Sequence, residues 1–323
     1  MRITALAGGV GGARFLRGLL HHLESHPGHP ELTIIANTGD DITLHGLRVS
    51  PDVDTILYTL GGGVHEGQGW GRADETTQVQ TELAALGAQP EWFTLGDRDF
   101  ATHIQRSQWL GQGLSLSEVI ERLATRWGLP GRGVRLLPMT DQPVETHVVV
   151  AEGEEQRAVH FQEWWIRMGA RVPAERFVVA GLDRATPAPG VLDALRSADV
   201  ILLPPSNPVV SIGIILGVPG VRDALRGSAA PVVGVSPLIG GRPVRGHADA
   251  CLAALSLPST SGAVAGLYED FLDGWLVDPA DAGLTLPRAR VSIHDGPLLM
   301  TDIPSASRIG AAALDLALAL KGA

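Results

Sequence analysis

The sequence predicts an α/β protein of Rossmann-like type: a mostly parallel sheet with helices on both faces and a mainly helical insertion. Three observations predict it. Strand-like apolar runs alternate with helix-like patterns towards both ends of the 323-residue chain. A glycine-rich turn, Gly8 to Gly12, joins the first strand to the first helix, where such folds present backbone N–H groups to phosphate. Apolar residues make up 45% of the chain against 19% charged, which suits one large buried core. The chain reads as a single domain, 1–323, with an insertion at about 70–165 covering the crevice.

Residues 3–7 form a short buried strand. Over 13–23, Phe15, Leu16, Leu19, Leu20 and Leu23 recur at helical spacing, and 32–36 gives the next strand. This βαβ unit is expected to be right-handed, with its ligand crevice beyond the strand carboxyl ends. Pro51 followed by acids reads as a helix start. Helices follow at 76–86, 100–111 and 115–127, then an antiparallel pair at 145–151 and 156–161. This stretch holds Trp92, Trp109, Trp127, Trp164 and Trp165, with Trp70 at its edge: either a flat aromatic wall for a planar ligand or ordinary core. The parallel pattern returns with a strand at 176–180, a helix at 190–197, a strand at 200–203, a helix at 218–226 and a strand at 231–235.

Composition removes several chemistries. Of 25 cationic residues 24 are Arg, so Lys321 is the single lysine; a P-loop and Schiff-base catalysis both need a lysine in the site. The lone Cys251 excludes an intrachain disulfide or a Cys-rich zinc site. A net charge of −10 without a basic run argues against nucleic acid as partner. The first residues enter a strand at once, without a signal-peptide pattern, and no apolar run looks membrane-spanning, so the expected location is cytoplasmic. The eleven histidines form no HExxH-type pair; His21, His22, His26 and His29 decorate a helix end and loop.

The dinucleotide fingerprint fails: G-x-G-x-x-G counted from Gly9 reaches Arg14 at its third glycine position, and no acid closes the second strand. Instead that strand runs into Asn37, Thr38, Gly39, Asp40 and Asp41, and Asp52 and Asp54 follow. Helix capping accounts for one or two of these carboxylates; four clustered acids without lysine suit a hard cation such as Mg²⁺, with Asp54 and Asp40 or Asp41 as ligands. In the run 95–103, Asp97 is the expected N-cap, and Asp99 with His103, and Arg98 with Thr102, share helix faces. These form either a binding face for a polar or anionic group or a solvated face. Ser206, Asn207 and Ser211 follow an apolar strand at the crevice side, as ligand contacts or as turn chemistry. His160 stands beside an aromatic pair and reads as a packed structural histidine.

Taken together, 7–14, 37–41, 51–55, 95–103, 160–165 and 205–208 with Ser211 and Ile212 resemble one family: the 2-phospho-L-lactate transferases of deazaflavin coenzyme F-420 biosynthesis, in their actinobacterial phosphoenolpyruvate transferase branch. The resemblance implies transfer of a phosphoenolpyruvate or 2-phospholactate moiety from a guanosine diphosphate ester to the deazaflavin Fo, with GMP leaving. It also implies Mg²⁺ and a homodimer. Carried over residue by residue, Asp40, Asp41 and Asp54 would hold the metal, and Asp54 or Asp41 would take the hydroxyl proton. Arg98 and Arg14 would meet phosphate or carboxylate groups. Gly9, Gly11, Gly12, Asp97, His103, Trp165, Ser206, Asn207 and Ser211 would contact substrates. Thr94 stands where the family often has a lysine. The competing reading is a nucleotide-sugar-binding regulator of the related gluconeogenesis-factor group; the runs 95–103 and 160–165 favour the transferases.

Overall fold

The computed structural model describes residues 1–25, 30–153, 155–284, 286 and 291–322; His26 and His29 lie outside them. The first half of the chain runs β1 (Arg2–Ala7), α1 (Gly9–Glu24), β2 (Glu31–Ala36), a hairpin of β3 (Ile42–Leu44) and β4 (Leu47–Val49), α2 (Pro51–Leu60), α3 (Gln78–Ala85), α4 (Asp97–Gly111), α5 (Leu116–Arg126) and β5 (Val134–Pro138). Then come β6 (Glu145–Glu152), β7 (Glu155–His160), β8 (Ala174–Ala180), α6 (Val191–Arg196), β9 (Val200–Leu203), α7 (Gly213–Gly217), α8 (Val221–Arg226) and β10 (Val232–Val235). The chain ends with β11 (Leu238–Ile239), β12 (Arg242–Pro243), α9 (Ala248–Ala254), α10 (Ser261–Gly266), β13 (Gly274–Val277), β14 (Ser292–Asp295) and α11 (Ile303–Lys321).

Among the described residues the main sheet has seven strands in the order β14-β13-β10-β9-β1-β2-β5, and every pair is parallel. Chain order reverses between β1 and β9, which leaves a crevice beyond their carboxyl ends. Strands covered on both faces must be apolar throughout, as in the fully buried Val-Ile-Leu-Leu of β9. One face carries the core of α1, α2, α5 and α11; the other packs α6 to α10. Helix α11 is long and apolar enough to cross a membrane by length and composition, but Ala306, Ile309, Gly310, Ala313, Leu314 and Ala317 are buried against α1 and the sheet. Gly18 and Gly310 permit that approach: a Cβ on Gly18 would collide with the Ala306 backbone, and one on Gly310 would lie 2.9 Å from Leu19 Cα.

Two strands depart from the sequence expectation. Within 70–165, β5 belongs to the main sheet beside β2, with α5 packed on it. The strand expected at 176–180 in the parallel sheet is β8, antiparallel to β6 in a separate sheet ordered β7-β6-β8. Phe177 and Val179 are half-buried between exposed neighbours, the alternation of a strand covered on one face only.

Candidate active site

A cleft of ≈ 620 Å³ opens at the β1/β9 crevice. Its wall begins at the glycine turn, where Gly8 N–H donates to Ser206 Oγ at 3.0 Å and Gly9 has φ 66°. Cβ atoms on Gly8, Gly11 and Gly12 would collide with Asp52, the Pro205 carbonyl and Ser206 respectively. The glycines therefore let α1 start hard against α2 and the β9 loop. Val10 and Gly11, in the first turn of α1, line the cleft, and first-turn amides have no intrahelical acceptor. They remain available to an anion.

Two carboxylates share one amide beside the glycine turn. Asn37 Nδ2 donates to Asp52 Oδ2 at 2.9 Å and to Asp40 Oδ1 at 3.4 Å. Gln162 Nε2 donates to Asp40 Oδ2 at 3.0 Å, and Ser211 Oγ to Asp52 Oδ2 at 3.3 Å. Burial, only partly offset by hydrogen bonds from Asn37, the Gly9 amide and Ser211, raises Asp52 to about 6. Burial first, then the Asp52 and Asp41 charges, raise Asp40 well above the carboxylate range. Among the described residues neither forms an ion pair. Two desolvated carboxylates held by neutral donors are a donor set that fits a hard divalent cation. No group of three or more His, Cys, Asp or Glu side chains with metal-binding placement occurs among the described residues. Such an ion would complete its shell with water and substrate oxygens, as Mg²⁺ commonly does.

Asp54, also on the cleft wall, is tied to α4. Both of its oxygens are taken by Arg106, with Nη1 2.9 Å from Oδ2 and Nη2 on Oδ1, and Arg106 has no exposed surface. His103 Nδ1 lies 3.1 Å from Arg106 Nη1 and 3.7 Å from Asp54 Oδ2. Burial, against the pull of Asp54 and helped by Arg106, lowers His103 to about 4. His103 is thus neutral near pH 7; because arginine can only donate, Nδ1 accepts and Nε2 carries the proton. Asp99, one turn before His103, also lines the cleft, and its Oδ1 is buried without a hydrogen-bond partner. Burial and the Asp54 charge raise Asp99 to about 7.

A family model described as 2-phospho-L-lactate transferase CofD matches residues 3–292. The chain belongs to this family. Relatives called phosphoenolpyruvate transferase include that of Thermobifida fusca, 60% identical over 326 residues and covering 99% of both chains. Those of Kitasatospora aureofaciens and Mycolicibacterium smegmatis are 57% and 50% identical, each covering 98% of this chain and 98% and 99% of their own. A UPF0052-family structure from Bacillus halodurans superposes with a TM-score of 0.61 at 18% identity, covering 97% of this chain and 99% of that one. It shares the fold.

In this member of the CofD family, the residues read from sequence divide into two groups. Gly9, Gly11, Arg14, Asp40, Asp54, Thr94, His103, Trp165, Ser206, Asn207 and Ser211 line the cleft. Gly12 is packed behind it on Ser206. Asp41 lies outside, where its Oδ2 accepts from Ser50 Oγ at 2.8 Å and Arg48 Nε at 3.3 Å. The expected trio Asp40, Asp41 and Asp54 is therefore not one ligand set, because the carboxylate facing Asp40 is Asp52. Asp97 does not cap α4, whose N-cap is Gly96. Its carboxylate takes the Val79 and Gln78 amides at 2.9 and 3.2 Å, closing the start of α3. Arg98 is exposed and donates to the Ala73 carbonyl at 2.9 Å, away from the cleft.

The loop residues also have structural tasks: Ser206 holds Gly8, Ser211 holds Asp52, and Asn207 Oδ1 accepts from the Val209 and Val210 amides at 2.9 and 3.1 Å. Trp70, Trp92 and Trp165 line the cleft, whereas Trp164 is fully buried and Trp109 and Trp127 pack on the main core. Trp165 lies 5.2 Å from Phe161 and edge-on to His247 at 4.9 Å. Asn37 and Gln162 as contacts, Arg106, and Arg245 on the cleft wall are functional residues beyond the sequence expectation. Arg106 had a usable signal: 99, 103 and 106 follow the i, i+4, i+7 spacing of one helix face.

Proposed function

We propose that the protein is a phosphoenolpyruvate transferase of coenzyme F-420 biosynthesis. It moves the phosphoenolpyruvate or 2-phospholactate moiety of a guanosine diphosphate ester to the deazaflavin Fo and releases GMP. One observation carries this reading: a single cleft joins a glycine turn with open amides and Arg14, the uncompensated pair Asp40 and Asp52, and the rings of Trp92, Phe161 and Trp165. The names of relatives at 50–60% identity support the phosphoenolpyruvate choice.

A ribityl hydroxyl oxygen of Fo forms the new P–O bond to the phosphorus bearing enolpyruvate, and the bond from that phosphorus to the GMP oxygen breaks. Val10 and Gly11 amides and Arg14 hold the phosphates, and the aromatic rings orient the deazaflavin plane. Asp40 and Asp52 would hold Mg²⁺, which when bound offsets the diphosphate charge. Asp99, raised to about 7 with an unpartnered oxygen, accepts the hydroxyl proton, while His103 offers its Nε2–H to a substrate oxygen. Asp54, fixed by Arg106, orients this wall rather than binding metal.

The test is to incubate purified protein with Mg²⁺, Fo and the enolpyruvyl or lactyl guanosine diphosphate ester in turn. GMP release with a mass increase of Fo by the transferred moiety is expected, most rapidly with the enolpyruvyl donor. Binding of a UDP-sugar without Fo binding or GMP release would overturn the proposal.

A further inference from the structure

Two arginines from distant chain segments meet on three successive carbonyls of one strap. Arg14, on α1, donates from Nη2 to the Glu66 carbonyl at 3.3 Å. Arg245, in the loop between β12 and α9, donates from Nη2 to the Gly67 carbonyl at 3.1 Å and from Nη1 to the Gln68 carbonyl at 2.5 Å. Both side chains line the cleft. The nearby Glu66 carboxylate balances them only in part: Arg17 takes both of its oxygens, at 2.5 and 3.2 Å, and the Glu66 charge reaches Arg14 without a hydrogen bond between the side chains. Among the described residues neither Arg14 nor Arg245 has a carboxylate partner within ion-pair distance.

Neutral carbonyls are weak compensation for two adjacent guanidiniums beside a turn with open amides. We infer that Arg245 joins Arg14 to form a two-arginine seat for the diphosphate of the donor, making Arg245 a substrate-binding residue contributed by the loop between β12 and α9. This deepens the transferase reading and rests on it for the donor's identity. The position of Arg245 is well anchored: the next residue, Gly246, has φ 73°, and a Cβ there would lie 2.9 Å from Trp165 Cζ2. The arginine therefore leaves the chain where the rim abuts the aromatic wall. Burial first, then the Arg245 and Arg17 charges, lower the pKa of Arg14 against the smaller opposing pull of Glu66. Two planar forks match phosphate oxygens, and the strap carbonyls are acceptors that an incoming anion can replace.

The experiment compares wild type, Arg245→Gln and Arg245→Lys, with thermal melts to confirm folding; the side chain is exposed and its removal leaves no core cavity. Binding is measured calorimetrically with inorganic pyrophosphate, GDP and guanosine, and steady-state constants are measured with donor and Fo. Arg245→Gln should weaken pyrophosphate and GDP binding and raise the donor KM by about ten- to hundredfold. Guanosine binding and the Fo KM should not change, and Arg245→Lys should fall between. Wild-type affinity of Arg245→Gln for pyrophosphate and GDP overturns the seat even if turnover is present. Arg245-dependent pyrophosphate binding without turnover of Fo leaves the seat standing and overturns the transferase reading instead.

Discussion

Arg106 on α4 clasps Asp54 on α2 beneath the cleft through both terminal nitrogens, with Nη1 2.9 Å from Oδ2, and the guanidinium is completely buried. Desolvating two charges is compensated only while both are present. Arg106→Met is expected to lower stability by about 3–5 kcal/mol, because it strands the Asp54 charge in a site that is 5% exposed. The double variant Arg106→Met with Asp54→Leu should recover much of that loss. Urea denaturation of the three proteins checks it; a single variant as stable as wild type would show that the pair does not tie α2 to α4.

The division of labour among the aspartates gives a second expectation. Asp40 and Asp52 meet through Asn37, whereas Asp54 is spent on Arg106 and Asp41 on Ser50 and Arg48. Asp40→Asn and Asp52→Asn should each raise the Mg²⁺ concentration for half-maximal activity by about tenfold or more. Asp54→Asn should lower kcat without moving that midpoint. Mg²⁺ titrations of the initial rate decide it, and a shifted midpoint in Asp54→Asn alone would return Asp54 to the metal.

Much of this architecture is legible in sequence because parallel strands buried on both faces leave continuous apolar runs, as in β1, β9 and β10. Strand β5 is less visible, since Arg135 and Pro138 interrupt its Val-Arg-Leu-Leu-Pro run, and edge strand β14 reads Ser-Ile-His-Asp with three exposed residues. The cluster of acids was legible too, but not its pairing. Residues 52 and 54 are two apart on α2, so they point to nearly opposite sides, and which side meets the glycine turn and which meets α4 is a tertiary fact. The same holds for Asp97, whose helix-start pattern is real but serves the neighbouring helix α3.

Asp99 makes stability depend on pH. Its folded pKa of about 7 lies above the usual 3.8, so its protonated form is the one the fold favours. That contribution is fully present below 3.8 and is lost as pH rises through about 7. His103 has the opposite sign: lowered from 6.5 to about 4, its contribution is present above 6.5 and lost as pH falls through about 4. Asp99→Asn should therefore gain on wild type between about pH 5 and pH 8, by on the order of 3 kcal/mol. Urea midpoints of both proteins at the two pH values test this; parallel curves would mean that Asp99 titrates as an exposed carboxylate.

The tryptophans separate binding from packing. Trp165 lines the cleft beside Phe161, whereas Trp127 packs on Tyr58 at 5.3 Å with Arg72 over its ring at 5.1 Å. Cβ atoms on Gly61 and Gly63 would intrude on the Trp127 ring, which shows how closely the α2 exit is fitted to it. Trp165→Ala is expected to raise the KM for Fo by about three- to tenfold, the scale of one lost aromatic pairing, alongside a lower melting temperature from its lost contacts with Phe161, Trp164 and His247. Trp127→Ala should lower stability by about 2 kcal/mol and leave that KM in place. Steady-state kinetics and thermal melts on both variants discriminate, because a ring that only fills space moves the melt alone, and a ring that receives a planar substrate also moves the KM.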